Sequence, residues 1–190
     1  MYMDNPSVPE RINYPDYKVI WTKSDLENLI TKAKERRTDG MTGYGGDAPR
    51  DLYETIDAYP VKDKTVLVVG TINPWIEVIV KYYGHAKSVH TVDFNKPESE
   101  MSEFNTMSID ELENSELTFD ILISYSSLEH DGLGRYGDPL NPNGDIMRVR
   151  NLKNFVNKEG LFFLAVPMGG TDELVLNAYV FFGFGFVKVS

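Results

Sequence analysis

Thr65-Val66-Leu67-Val68-Val69-Gly70 is an unbroken apolar run, rich in β-branched residues and stopped by glycine. That is the pattern of a strand buried on both faces. Ser88-Val89-His90-Thr91-Val92-Asp93, Phe119 to Tyr125 and Leu161 to Val166 read the same way, the last closed by Pro167. Between the first two, Asn73-Pro74 offers a cap and a first-turn proline for a helix from Trp75 to Tyr83, apolar nearly all round. Before the third, a polar loop leads into the capping box Ser108-Ile109-Asp110-Glu111 and a short helix. Before the fourth, a helix from about Asp145 to Val156 places Ile146, Val149, Leu152, Phe155 and Val156 on roughly one face. Strands alternating with helices predict an α/β fold: a doubly wound, mostly parallel sheet with right-handed crossovers.

Upstream, a proline-punctuated arm precedes the capping box Ser24-Asp25-Leu26-Glu27 and a helix with Leu26, Leu29, Ile30 and Ala33 on one face. A glycine-rich stretch, Thr42 to Asp47, then leads to a short helix opened by Pro49. We therefore divide the chain into an N-terminal arm and helical extension, residues 1–60, and an α/β domain, residues 61–190. Thr171-Asp172-Glu173-Leu174 reads as a helix start and Phe184 to Val189 as a strand. Phe181, Phe182, Phe184 and Phe186 add apolar surface at this C-terminal edge, and self-association through it is expected.

The chain has 190 residues and a formal net charge of −10. Such acidity repels phosphate backbones, so no nucleic-acid partner is expected, and it suits a cationic ligand. There is no cysteine, which excludes disulfides and thiolate metal sites. The N-terminus lacks a signal peptide's apolar core, and no apolar run is long enough to span a membrane, so a soluble intracellular protein is the default.

In an open parallel sheet, ligands bind beyond the carboxyl ends of the strands, where strand order reverses. The residues there are Gly70, Asp93, the segment Ser126 to His130, and Pro167. Gly70 lets another group approach the backbone, and Asp93, about twenty residues on, is placed to accept ribose hydroxyls. Gly70 is followed by Thr71-Ile72-Asn73-Pro74-Trp75, not by the further glycines of a nicotinamide fingerprint, which lowers the oxidoreductase reading. The loop from Asp131 to Asp145 leaves the same edge of the sheet. It reads as an acceptor-recognition loop, with Arg135 holding a small anionic group and His130 or Asp131 as base. It reads equally well as a loop whose carboxylates bond their own backbone. His85, His90 and His130 are too few and too scattered for zinc, so no metal site is expected. Ser126-Ser127 lacks the nucleophile elbow of a hydrolase.

Phe119-Asp120-Ile121-Leu122-Ile123-Ser124-Tyr125-Ser126-Ser127-Leu128-Glu129-His130 resembles the fourth-strand segment of class I S-adenosylmethionine-dependent methyltransferases. Leu152 to Pro167 is similar to that superfamily's approach to its fifth strand. The longer string Ser127 to Gly170 looks closer still to a methyltransferase-like family, domain of unknown function 268. The resemblance implies S-adenosylmethionine as cofactor. It also implies two further strands after the fifth, and with room for only one the expected sheet has an incomplete C-terminal edge. It makes Gly70 the neighbour of the cofactor's amino-acid part, Asp93 the ribose ligand, and Ser126, Ser127, Leu128 and Glu129 the wall under the transferred methyl group. It implies a methyltransferase acting on an unknown acceptor or, since Val66 to Trp75 lacks that superfamily's additional glycines, an inactive methyltransferase-like domain used for binding or as a scaffold.

Overall fold

A computed structural model describes residues 18–134, 136, 138–166, 173–175 and 179–181. Its centre is a parallel five-stranded sheet in the order β5-β3-β2-β6-β7. These strands are β2 (Thr65–Val69), β3 (Ser88–Asp93), β5 (Phe104–Ser108), β6 (Phe119–Tyr125) and β7 (Val156–Ala165). The chain winds outward from β2 through β3 to β5, then returns across the sheet to β6 and β7. The doubly wound, Rossmann-like architecture expected from the strand runs is therefore present, and its switch point falls between β2 and β6.

Alternation along each strand feeds two cores. Val66, Val68, Ile121 and Ile123 point to one face, where they meet α1 (Lys23–Lys34), α2 (Asp47–Ala58) and α3 (Trp75–Val78) through Leu26, Ile30, Leu52, Ile56, Ile76 and Val78. Leu67, Val69 and Leu122 point to the other, against Leu112 of α4 (Ile109–Glu113) and Leu152 of α5 (Gly144–Leu152). Full burial of each such side chain contributes roughly 1.5–3 kcal/mol relative to exposure. The helices of residues 18–60 thus share one apolar core with the sheet. A small parallel pair, β1 (Ile20–Trp21) with β4 (Glu98–Ser99), ties this segment to the far side of β3.

Several local expectations are corrected. Helix α1 starts at Lys23, and its cap is Thr22, whose hydroxyl accepts the Asp25 N–H. Asn73 makes no side-chain cap; its carbonyl instead accepts the Trp75 N–H. Helix α3 is short and continues as a π-helical turn, Ile79–Tyr83. The polar segment before α4 contains β5, an edge strand in which only Phe104 is buried. Val156 opens β7 instead of ending α5, and an irregularity in register between Phe119 and Ile121 accommodates residues 157–160. Glu173–Val175 is a strand (β8), not a helix start, and pairs antiparallel with β9 (Tyr179–Phe181). Among the described residues no strand pairs with the outer edge of β7. The strand expected over Phe184 to Val189 lies outside the described residues. The Ser108–Glu111 capping box is formed as read. No helix among the described residues is long and apolar enough to cross a membrane.

Candidate functional site

A cleft of about 400 Å³ opens at the carboxyl ends of β2, β3 and β6, astride the switch point. Gly70, Asp93, Ser126, Ser127, Leu128, His130 and Asp131 all line it, so strand order brings together residues that are far apart in sequence. Its volume lies in the usual range for a small-molecule site.

The β2 exit is closed by bonds to its backbone groups. Gly70 has φ +71°, and a side chain there would collide with the Ser127 hydroxyl. What approaches the bare backbone of Gly70 is thus Ser127, from the neighbouring strand exit. Asp93 is half-buried; one carboxylate oxygen accepts the Thr71 N–H at 3.0 Å and the other the Asn95 N–H at 2.7 Å. Burial pushes its pKa up to about 6, the two N–H bonds oppose that rise, and Asp131 adds to it. The loop after β2 is further pinned by Trp21 Nε1, which donates to the Ile72 carbonyl at 3.0 Å.

The β6 exit turns through Ser126, a non-glycine residue at φ +47°, a conformation that concentrates at functional turns. Its N–H donates to the Ala165 carbonyl, and its hydroxyl donates to Glu129 Oε1 at 2.6 Å. The segment Leu128–His130 follows as a single 3₁₀ turn. Glu129 is fully buried and does not line the cleft, so it positions Ser126 from behind. His130 is buried too, with Nε2 at 3.8 Å from Glu129 Oε1 and its ring edge-on to Tyr136.

Beyond this turn the loop is organised by its own carboxylates. Asp138 accepts the N–H groups of Gly132, Gly134 and Tyr136. Gly132 and Gly144 pack backbone to backbone, leaving no room for a side chain at either. Asp131 accepts Arg148 Nε at 2.9 Å; burial raises its pKa and this bond opposes the rise. Arg148 also lies 3.6 Å from Glu113. Arg135, the residue read as an anion holder, lies outside the described residues.

Sequence reading missed the aromatic side of the cleft. Trp75, Tyr125 and Tyr44 form a row, with ring centroids 5.3 Å apart for the first pair and 5.2 Å for the second. They come from α3, β6 and the segment between α1 and α2, and no spacing in the sequence links them. Among the described residues no cluster of His, Asp and Glu could hold a metal ion.

Residues 63–188 match the family model described as "Caenorhabditis protein of unknown function, DUF268". The chain belongs to this family. No curated protein matches it in sequence. Among solved structures, the DhpI protein in complex with SAH (S-adenosylhomocysteine) is 15% identical, covering 87% of this chain and 78% of that one, with TM-score 0.48. A Streptococcus mutans protein described as a SAM-dependent methyltransferase is 18% identical over 62% of this chain, with TM-score 0.43. This chain covers only 34% of that protein's length. The SAH-bound Podospora anserina methyltransferase PaMTH1 is 11% identical, covering 73% of this chain and 60% of that one, with TM-score 0.39.

Proposed function

We propose that the cleft binds S-adenosylmethionine and that the protein is a methyltransferase. The observation that carries this reading is the chemistry of the β2 exit. A dinucleotide needs unengaged backbone N–H groups there to hold its pyrophosphate. Here the N–H groups of Gly70, Thr71 and Trp75 are taken by Val92, Asp93 and Asn73, and Pro74 has none, which leaves at most those of Ile72 and Asn73. Among the charged residues described in the lining, Asp93, Glu113, Asp131 and Asp138 outnumber Arg148, which is itself engaged by Asp131 and Glu113. An acidic cleft with so few N–H groups to spare suits a cofactor that is cationic and carries no phosphate.

The residues present fit that group. Each Asp93 oxygen accepts one N–H and keeps a lone pair, so the carboxylate can also accept the two ribose hydroxyls. The Gly70–Thr71 backbone borders the amino-acid part, and Ser126, Ser127 and Leu128 form the wall beneath the reacting centre, with Glu129 fixing Ser126. When bound, the cofactor supplies an electrophilic methyl carbon. The protein's contribution is alignment of the acceptor with that carbon, together with exclusion of water. His130 and Asp131 border the cleft where a proton leaving the acceptor can be taken up.

A second reading, a non-catalytic scaffold on the same fold, is favoured by Ser127 filling the room beside Gly70. Calorimetric titration separates the two. S-adenosylmethionine and S-adenosylhomocysteine should each bind one per chain while NAD does not. Silence from all three would leave the scaffold reading.

A further inference from the structure

We propose that the acceptor compartment of this cleft, walled by Trp75, Tyr125 and Tyr44, takes a small organic cation. The inference rests on the methyltransferase reading and adds the substrate class. Its basis is the row of aromatic rings together with the sign of the charge around it.

The row runs from buried Trp75, through half-buried Tyr125, to Tyr44, which is 55% exposed at the mouth of the cleft. Trp75 meets Tyr125 at 83° and Tyr44 is tilted 58° to it, so successive rings turn their faces in different directions. Electron-rich faces attract a cation within about 6 Å, and more strongly as it sheds water. The charges near the row have the matching sign. Asp51 and Asp47, at the start of α2, lie close enough to raise the pKa of the Tyr125 hydroxyl, after burial, its larger cause. Arg50 pairs with Asp47 at 2.6 Å and offsets part of this field. The same cleft is lined by Asp93, Asp131 and Asp138, with Arg148 engaged by Asp131. An anionic acceptor would be repelled by this net negative lining, whereas a cation meets favourable potential. The expectation of an anionic acceptor rested on Arg135 alone. The positive charge serves here as a recognition handle, since a protonated amine has no lone pair with which to attack.

The test uses the full chain and two probes of nearly equal shape, choline and its uncharged carbon isostere 3,3-dimethylbutan-1-ol. Each is titrated with and without saturating S-adenosylhomocysteine, and binding is followed by ligand NMR. Choline should bind roughly 3- to 30-fold more tightly than the isostere, the range a cation–π contact supplies, and should do so with the cofactor product in place. Tyr44→Leu should erase most of that preference, and Tyr44→Phe should keep it. Equal affinity for the two probes overturns the inference. So does displacement of choline by S-adenosylhomocysteine, which would assign the cation seat to the cofactor itself. Choline preference in a chain that binds no S-adenosylhomocysteine would remove the methyltransferase reading and leave the cation seat standing.

Discussion

The two crossovers that flank the switch point are anchored differently. From Gly70 to Pro74 the backbone groups bond outward to other elements: the Gly70 N–H donates to the Val92 carbonyl, the Thr71 N–H to the Asp93 carboxylate, and the Ile72 carbonyl accepts from Trp21 Nε1. From Ser126 to Asn143 the chain is much longer, and many of its ties run within the crossover itself. Glu129 fixes Ser126, Asp138 gathers three N–H groups, and Asp131 takes Arg148. The first crossover is locked into the sheet, so damage to it is damage to the fold. The second is a set of separable polar ties, each of which can be lost while the sheet survives.

Breaking the short crossover should have the largest effect. Gly70→Ala places a methyl group against the Ser127 side chain and forces a left-handed alanine, the latter costing about 1–2 kcal/mol by itself. We expect a total loss of about 3–5 kcal/mol in urea unfolding. Adding Ser127→Gly should recover the steric part and leave the dihedral part. If the double variant is no more stable than Gly70→Ala, the contact with Ser127 is not the cause.

The helix that follows the short crossover buries a carboxyl group. Glu77 is fully buried; Oε1 accepts the Thr91 hydroxyl at 2.8 Å, and Oε2 has no hydrogen-bond partner among the described residues. Burial pushes its pKa up to about 8, from 4.5. The folded state thus holds a proton that the unfolded state releases between those values, so stability falls as pH rises through that window and then levels off. Glu77→Gln removes this slope. Relative to the parent, it should match at about pH 5 and gain on the order of a few kcal/mol near pH 8.5. A constant difference across that range would show that Glu77 does not titrate there.

The same contrast governs what the sequence discloses. Strands β2, β3 and β6 are legible because central burial on both faces demands continuous apolar runs. The edge strand β5 is not: its Asn105 is exposed and its Thr106 and Met107 are only partly covered, so the segment reads as a polar loop. At the site, Gly70, Asp93 and Ser126 to Leu128 are legible because strand exits are. The choice between a recognition loop and a self-bonded loop at Asp131 to Asp145 needs distances, and Asp138 shows the self-bonding. The row Trp75, Tyr125 and Tyr44 exists only once α3, β6 and the α1–α2 segment pack together.

Loosening the long crossover should cost less and stay local. Asp138→Ala leaves three loop N–H groups without their acceptor, and in a partly exposed loop water replaces much of what is lost. We expect a global loss of about 1–2 kcal/mol, with hydrogen-exchange protection falling at Gly132, Gly134 and Tyr136 but not in β2 or β6. Loss of protection throughout the sheet would mean that the long crossover is as integral to the fold as the short one.

Asp93 stands between the two crossovers, bonding the Thr71 N–H of one while its neighbour Asn95 donates to the Tyr136 carbonyl of the other at 3.4 Å. Its pKa of about 6 gives the smallest effect we expect, and the one most specific to cofactor binding. Ribose hydroxyls donated to Asp93 would favour its ionised form, so binding should lower this pKa and expel a proton wherever the free group is still protonated. Affinity for S-adenosylmethionine should therefore rise with pH through about 6 and flatten above it. A drop of one pKa unit on binding corresponds to about 1.4 kcal/mol over the whole titration, of which roughly fivefold in affinity falls between pH 5 and 7. Calorimetry near pH 5.5 in buffers of different ionisation enthalpy counts the proton directly. Asp93→Asn should bind more weakly and release none. Proton release that survives in Asp93→Asn would place the titrating group elsewhere, with Asp131 the next carboxylate of raised pKa in the cleft.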